Sequence, residues 1–159
     1  MAGLFEGQDV GLISEAGLPA VADPGAALVA LCHRKGIEVM PLVGPSSLML
    51  ALMGSGLDGQ SFAFRGYLPA KTDERRTAIK DIEKESRRLR QSQIFIETPY
   101  RNDSLFADLL SGLAPDTRLC IAADLTLESQ TIRTLKVGAW KKIQGFTIGK
   151  RPCVFIVLA

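Results

Sequence analysis

Residues 14–25, SEAGLPAVADPG, constrain this chain more than any other stretch. They follow the apolar run Val10-Gly-Leu-Ile13 and precede the apolar-periodic segment 26–34. A strand, a turn rich in Gly, Pro and Ala, and then a helix is the layout of a ligand-binding corner in an α/β sheet. Gly17, Pro19, Pro24 and Gly25 leave little side chain in the way of a ligand. The same stretch also reads as a long connection ending in an ordinary helix cap.

The rest of the chain alternates in the same way. Residues 9–14 are a strand candidate. Residues 24–35 read as a helix, with Asp23 as N-cap, Pro24 at the first helical position and Gly36 as the stop. Residues 37–42 are a second strand candidate. Gly44-Pro45-Ser46-Ser47 opens a helix that ends at Gly54. Three glycines within residues 54–59 mark a domain boundary. Beyond it come strands at 61–66, 93–97, 118–123, 131–137 and 153–158. A charged helix spans 72–90, with an apolar stripe of Ala78, Ile79, Ile82 and Leu89. Another helix lies within 99–113. The pattern predicts an α/β protein: residues 1–58 as a partial, parallel-sheet first domain, and residues 59–159 as a mixed-sheet α/β second domain. Two strands are too few for a stable sheet. Either another chain completes the first sheet, or the chain is part of something longer.

Composition narrows the chemistry. Net charge is +2, which permits a nucleic-acid partner without requiring one. Cys32, Cys120 and Cys153 are scattered, with His33 as the only histidine, so no zinc set is expected. Unpaired cysteines suit a reducing, cytoplasmic setting, and no apolar run approaches a membrane span. No Ser/His/Asp set can be built around His33, and GxxxxGK[ST] does not occur.

Three strand ends remain as candidate sites. The first is the corner at residues 14–20. The second is the helix start at Ser46 and Ser47, which can hold a polar or anionic group or simply begin a helix. The third is the crowd Glu97, Tyr100, Arg101 and Asn102, which can also be a structural ion pair. The helix 72–90 carries Arg75, Arg76, Lys80, Lys84, Arg87 and Arg88 interleaved with acids. It reads as a solvated face, or alternatively as a phosphate-contacting surface.

Taken together, LISEAGLPAVADPG, PLVGPSS, FAFRGYLPAK with a following ERR, and IFIETPYRN resemble the tetrapyrrole methylase-like superfamily of S-adenosylmethionine-dependent methyltransferases. They look most like its ribosomal RNA small-subunit methyltransferase I branch, which methylates a ribose 2′-hydroxyl. The resemblance implies two α/β domains with S-adenosylmethionine in the cleft between them, and a homodimer. The methyl acceptor would be rRNA, or a tetrapyrrole or other small molecule. By the same match Glu15, Ala16, Gly17, Leu18, Ser46, Ser47 and Pro99 would line the cofactor site. Glu97 and Arg101 are the candidates for handling the acceptor's proton. The family has Asp where this chain has Glu15, and it begins with a GxGxGD turn not found here. Residues 1–7 match the helix before its third or fourth strand, so the chain is expected to be a C-terminal portion. A truncated, non-catalytic dimerisation product and an RNA-binding module are the other readings.

Overall fold

The computed structural model describes Gly3 and residues 6–159. Met1, Ala2, Leu4 and Phe5, part of the helix expected at the start, lie outside the described residues. The chain divides into two compact units, Met1–Ser46 and Ser47–Ala159.

The first unit contains helix α1, Ala26–Arg34. Its end follows the sequence. The Ile37 amide donates to the Cys32 carbonyl (2.9 Å) and the Gly36 amide to the His33 carbonyl (3.2 Å), with Gly36 at φ +67°. That is a Schellman stop, which needs a residue able to adopt the left-handed region. The start does not follow the sequence. Gly25, at φ 142°, holds the N-cap position without a side-chain hydrogen bond. Asp23 and Pro24 therefore sit in the preceding bend and turn, not in a cap and a first helical turn.

Residues 9–14 and 37–42, expected as strands, are not strands here. Both lack a ladder partner among the described residues. Alternating apolar residues specify which side of a strand is buried, but the strand itself needs a neighbour's backbone.

The second unit begins with α2, Ser47–Ser55. Gly54, expected to end this helix, lies inside it. A Cβ there would come 2.6 Å from Ile132 Cδ1, so the glycine lets the helix approach the sheet. The helix ends instead at Gly56, φ +67°. Then follow β1 (Phe62–Tyr67), α3 (Thr72–Leu89), β2 (Ser92–Ile96), a 3-10 turn (Pro99–Arg101), α4 (Asn102–Gly112), β3 (Arg118–Ala123), β4 (Thr131–Lys136), α5 (Val137–Trp140) and β5 (Cys153–Leu158).

The sheet has five strands in the order β1-β2-β5-β3-β4. β1 and β2 are parallel through the α3 crossover, and the other pairings are antiparallel. This is the mixed sheet that the later strands predict. β5, CVFIVL, is buried along its whole length because both sheet faces are covered. On one face Ile79 and Ile82 of α3 and Leu105 and Leu109 of α4 pack on Phe95, Ile121 and Phe155. On the other face Leu48, Ala51 and Leu52 of α2 pack on Ile94, Cys120 and Ile156. Edge strands β1 and β4 carry Arg65, Arg133 and Lys136, which discourage edge pairing.

The buried face of α3 runs through Arg75, Ile79, Ile82 and Ser86, with Ala78 half-buried. Leu89, expected in the stripe, is exposed beyond it. Arg75, counted by type among the surface cations, is buried. Its Nε donates to Asp108 Oδ2 on α4 (2.7 Å), Nη1 to the Ala70 carbonyl (3.0 Å) and Nη2 to Ser104 Oγ (3.2 Å). Asp108 also accepts from the exposed Arg76 at 3.4 Å.

Removing one partner of a buried pair strands the other's charge, at about 3–5 kcal/mol. Arg75→Met is thus expected to destabilise the second unit by that amount. Arg76→Ala should cost under about 1 kcal/mol, as for exposed pairs. Urea unfolding followed by the fluorescence of Trp140, the single tryptophan, measures both. Equal losses in the two variants would contradict this assignment.

Candidate functional site

In the first unit the corner is built from small residues and unusual backbone. Ser14 Oγ accepts from the Ala16 amide (3.3 Å) and donates to its carbonyl (2.9 Å), closing a tight bend. Glu15 and Ala16 stand exposed on that bend. Gly17 follows at φ +77°, with no atom within 4 Å of where a Cβ would stand. Ala20 (φ 64°) and Ala22 (φ 55°) also adopt the left-handed region. Each costs an L residue about 1–2 kcal/mol, and such strain gathers at ligand-binding loops. Gly25 is required twice over, by its φ and because a Cβ would meet Leu12 Cδ2 at 2.7 Å.

Gly17 and Leu18 line an open cavity of about 1220 Å³, together with Ser14, Leu28, Val39 and Gly44. Leu18 Cδ2 lies 3.2 Å from the Cβ position of Gly44, so the two loops meet there. Glu15, Ala16 and Ser46 do not line this cavity. Ser46 is half-buried at the end of the first unit, and Ser47 is the exposed first residue of α2.

In the second unit the carboxyl end of β2 carries Glu97, with its side chain fully buried. One oxygen does all its bonding. Oε1 accepts from the Thr98 amide (2.6 Å), Thr98 Oγ1 (3.2 Å), Arg101 Nε (3.0 Å) and Arg101 Nη2 (2.6 Å). Oε2 is buried and has no partner. Pro99 and Tyr100 are exposed on the 3-10 turn, and the Arg101 guanidinium lies 5.9 Å from the Tyr100 ring centroid. Asn102 donates to the carbonyls of Gly149 (3.0 Å) and Arg151 (2.7 Å), and its Oδ1 is likewise buried and unpartnered.

The adjacent end of β3 adds a cluster that sequence reasoning did not single out. Asp124 Oδ2 accepts from Ser129 Oγ (2.9 Å) and stands 3.7 Å from Arg151 Nη1. Arg151 Nε donates to the Ile148 carbonyl (2.7 Å). Asp124 follows a strand directly, so the strand-end rule that marks Glu97 also marks it. No local pattern points to Arg151.

The cysteines are buried and free. Burial pushes the Cys153 thiol up to about 12, and burial also raises Cys120. A raised pKa keeps the thiol protonated at neutral pH, so neither serves as a nucleophile there. Among the described residues no three His, Cys, Asp or Glu side chains gather as a metal group, and no helix is long and apolar enough to cross a membrane.

A sequence model of the tetrapyrrole (corrin/porphyrin) methylases matches residues 1–140. The ribosomal RNA small subunit methyltransferase I of Escherichia coli O157:H7 is 40% identical over 145 residues, covering 89% of this chain and 49% of that protein. The protein of the same name from Vibrio cholerae is 38% identical over 135 residues, covering 85% and 46%. The chain spans about half the length of the curated relatives it matches. Among solved structures, a diphthine synthase aligns with TM-score 0.64 at 19% identity, covering 90% of this chain and 57% of that one. The methyltransferase CobJ aligns with TM-score 0.57 at 16% identity, covering 89% and 61%. At such identities the likeness is one of fold.

Two outcomes follow from this geometry. Gly25→Ala is expected to destabilise the chain by about 1–2 kcal/mol, whereas Ala22→Gly, which relieves a left-handed alanine, is neutral or stabilising. Paired denaturation curves compare them, and a stabilising Gly25→Ala would contradict the corner's geometry. Cys120 and Cys153 are expected to resist alkylation in the native chain at pH 8 and to react fully in denaturant, as read by peptide mass mapping.

Proposed function

The chain belongs to the tetrapyrrole (corrin/porphyrin) methylase family, and on that premise we propose that it serves S-adenosylmethionine-dependent methyl transfer to a ribose 2′-hydroxyl of ribosomal RNA. The relatives' names support the acceptor. The observation that carries the site is Glu97: a fully buried carboxylate at a strand end, with one oxygen saturated and the other free.

Local structure fits the cofactor. The open space beside Gly17 and the glycine at 44 allow close backbone approach. We assign Glu15, Ala16, Gly17, Leu18, Ser46, Ser47 and Pro99 to holding it. Glu15 reaches one methylene further than the family's Asp, which suits a contact from an exposed bend. The sulfonium, when bound, supplies an electrophilic methyl group, so no protein nucleophile is needed. The chain's own task is orientation and proton handling. Glu97 Oε2, the carboxylate oxygen left without a protein partner, takes the proton of the acceptor hydroxyl. Arg101, donating through Nε and Nη2, fixes the Glu97 rotamer. Residues 1–58 act as part of the cofactor-binding domain and residues 59–159 as the second domain. The protein works as a cytoplasmic homodimer.

A second reading has an observation of its own. Residues 9–14 and 37–42 join no ladder among the described residues, which favours a non-catalytic product with weak cofactor affinity for this chain alone. Titration calorimetry with S-adenosylmethionine is expected to give a Kd above about 0.1 mM, and micromolar binding would remove that reading. In a protein spanning its relatives' whole length, methyl transfer to small-subunit rRNA is expected, and transfer to porphyrinogens instead would replace the acceptor. There Glu97→Gln should lower kcat by about 10²-fold or more with little change in KM.

A further inference from the structure

Asn102 opens α4 and is wholly buried, yet it does not cap its helix. Asn is favoured at helix starts because its side-chain oxygen accepts the helix's own free amides. Here that oxygen accepts nothing. The nitrogen turns instead to the loop before β5, where Nδ2 donates to the carbonyls of Gly149 (3.0 Å) and Arg151 (2.7 Å). Two carbonyls at one nitrogen fix which way the amide faces, because turning it over would set oxygen against oxygen. Asn102 is therefore in place for its two donors. Aspartate has the same shape and, when ionised, no donor at all.

Those bonds join two arginine–carboxylate pairs. On one side Asn102 follows Arg101, whose guanidinium donates to Glu97 Oε1 at 3.0 and 2.6 Å. On the other, Arg151, whose carbonyl Asn102 holds, faces Asp124 Oδ2 at 3.7 Å and donates to the Thr131 hydroxyl at 3.3 Å. The loop has a second tie to α4, since the exposed Asp103 accepts the amides of Ile148 (2.7 Å) and Gly149 (3.2 Å). What Asn102 adds is control of the residue before it. Arg101 sits in the sparsely populated bridge region, φ −106° and ψ −2°, between the 3-10 turn and α4. Its direction thus depends on how the next residue is held. We propose that Asn102 is a positioning residue for the methyl-transfer site. By clamping the start of α4 to residues 149–151 it holds Arg101 on Glu97 Oε1, which leaves Oε2 as the oxygen open to the acceptor. Asn102 acts through Arg101 and needs no contact with the reacting atoms. This rests on the reading of Glu97 given above.

The test is nitrogen-15 NMR of this chain. In Asn102→Asp the Arg101 Nε–H is expected to exchange about tenfold faster or more, and the Thr98 amide, which donates to Glu97 Oε1, to shift. Asn102→Ala should do the same without an added charge. The Trp140 Nε1–H, bonded to the Leu119 carbonyl, should stay as it is and so report an intact core. Asp103→Ala, which frees the same loop's amides, should leave the Arg101 signal unmoved. In a protein spanning its relatives' whole length, Asn102→Asp should lower kcat about tenfold or more with KM within about twofold. Added to Arg101→Gln, it should cost less than about twofold more, because both act through one contact. An Arg101 signal unmoved in both Asn102 variants would overturn the proposal. So would an equal response to Asp103→Ala, which would make Asn102 a loop anchor only, or kcat losses that simply multiply. Loss of the Trp140 signal in both Asn102 variants would make it a folding residue and overturn the proposal too. An undiminished kcat in Glu97→Gln would instead end the reading of Glu97 as the base, while the NMR result on this chain stands or falls without it.

Discussion

The second unit depends on the insertion of β5 between β2 and β3. Cys153–Leu158 pairs with Gln93–Ile96 on one side and Arg118–Ala123 on the other. Without it the sheet is a parallel pair and a hairpin, neither with enough strands to be stable alone. β5 is also the last strand in the chain, so the core closes through long-range pairings. The same insertion sets the register of the sheet's edge. Val154 lies opposite Ile96, and Cys153 lies opposite Ala123. The carboxyl ends of β2 and β3 are thereby brought to one edge, where Glu97 and Asp124 follow directly.

Around that frame the polar groups are mostly paired. Glu83 Oε1 accepts from the Ala114 amide (2.8 Å) and from the Thr117 hydroxyl. Asp103 accepts the Ile148 amide (2.7 Å), tying the loop before β5 to α4. Trp140 Nε1 donates to the Leu119 carbonyl (2.9 Å). Such pairing is the rule, because a buried orphan costs about 1–3 kcal/mol. Glu97 Oε2 and Asn102 Oδ1 break the rule, and both belong to the same strand-to-helix connection. Local sacrifice of that kind is expected where a structure serves function as well as stability.

What the sequence discloses depends on how local each cause is. The runs RLCIAA and CVFIVL are legible as strands because continuous apolarity has one good explanation in a sheet covered on both faces. The stop of α1 is legible because Gly36 is its mechanism. The start of α1 is not, since the φ of Gly25 answers to packing against Leu12 and Ala20. Arg75 escapes a reading by residue type, but its spacing from Ile79, Ile82 and Ser86 puts it on their face. Its partner, Asp108, belongs to another helix. Glu97 and Arg101 are visible because they stand one helical turn apart at a strand end. Asp124 and Arg151 meet only through β5.

The contrast between 153–158 and 9–14 isolates what a strand requires. Both are apolar runs bounded by turn-forming residues, yet one is a central strand and the other joins no ladder among the described residues. The difference lies in neighbours rather than propensity, as the context dependence of β-structure predicts. The corner at residues 14–25 keeps a defined shape all the same. Its bend is closed by Ser14, its exit is set by Gly25, and the Ala20 amide reaches the Pro24 carbonyl at 3.4 Å. These contacts lie within the loop or between it and the residues beside it, and none is a ladder hydrogen bond. The corner is therefore shaped by local contacts, without a sheet around it.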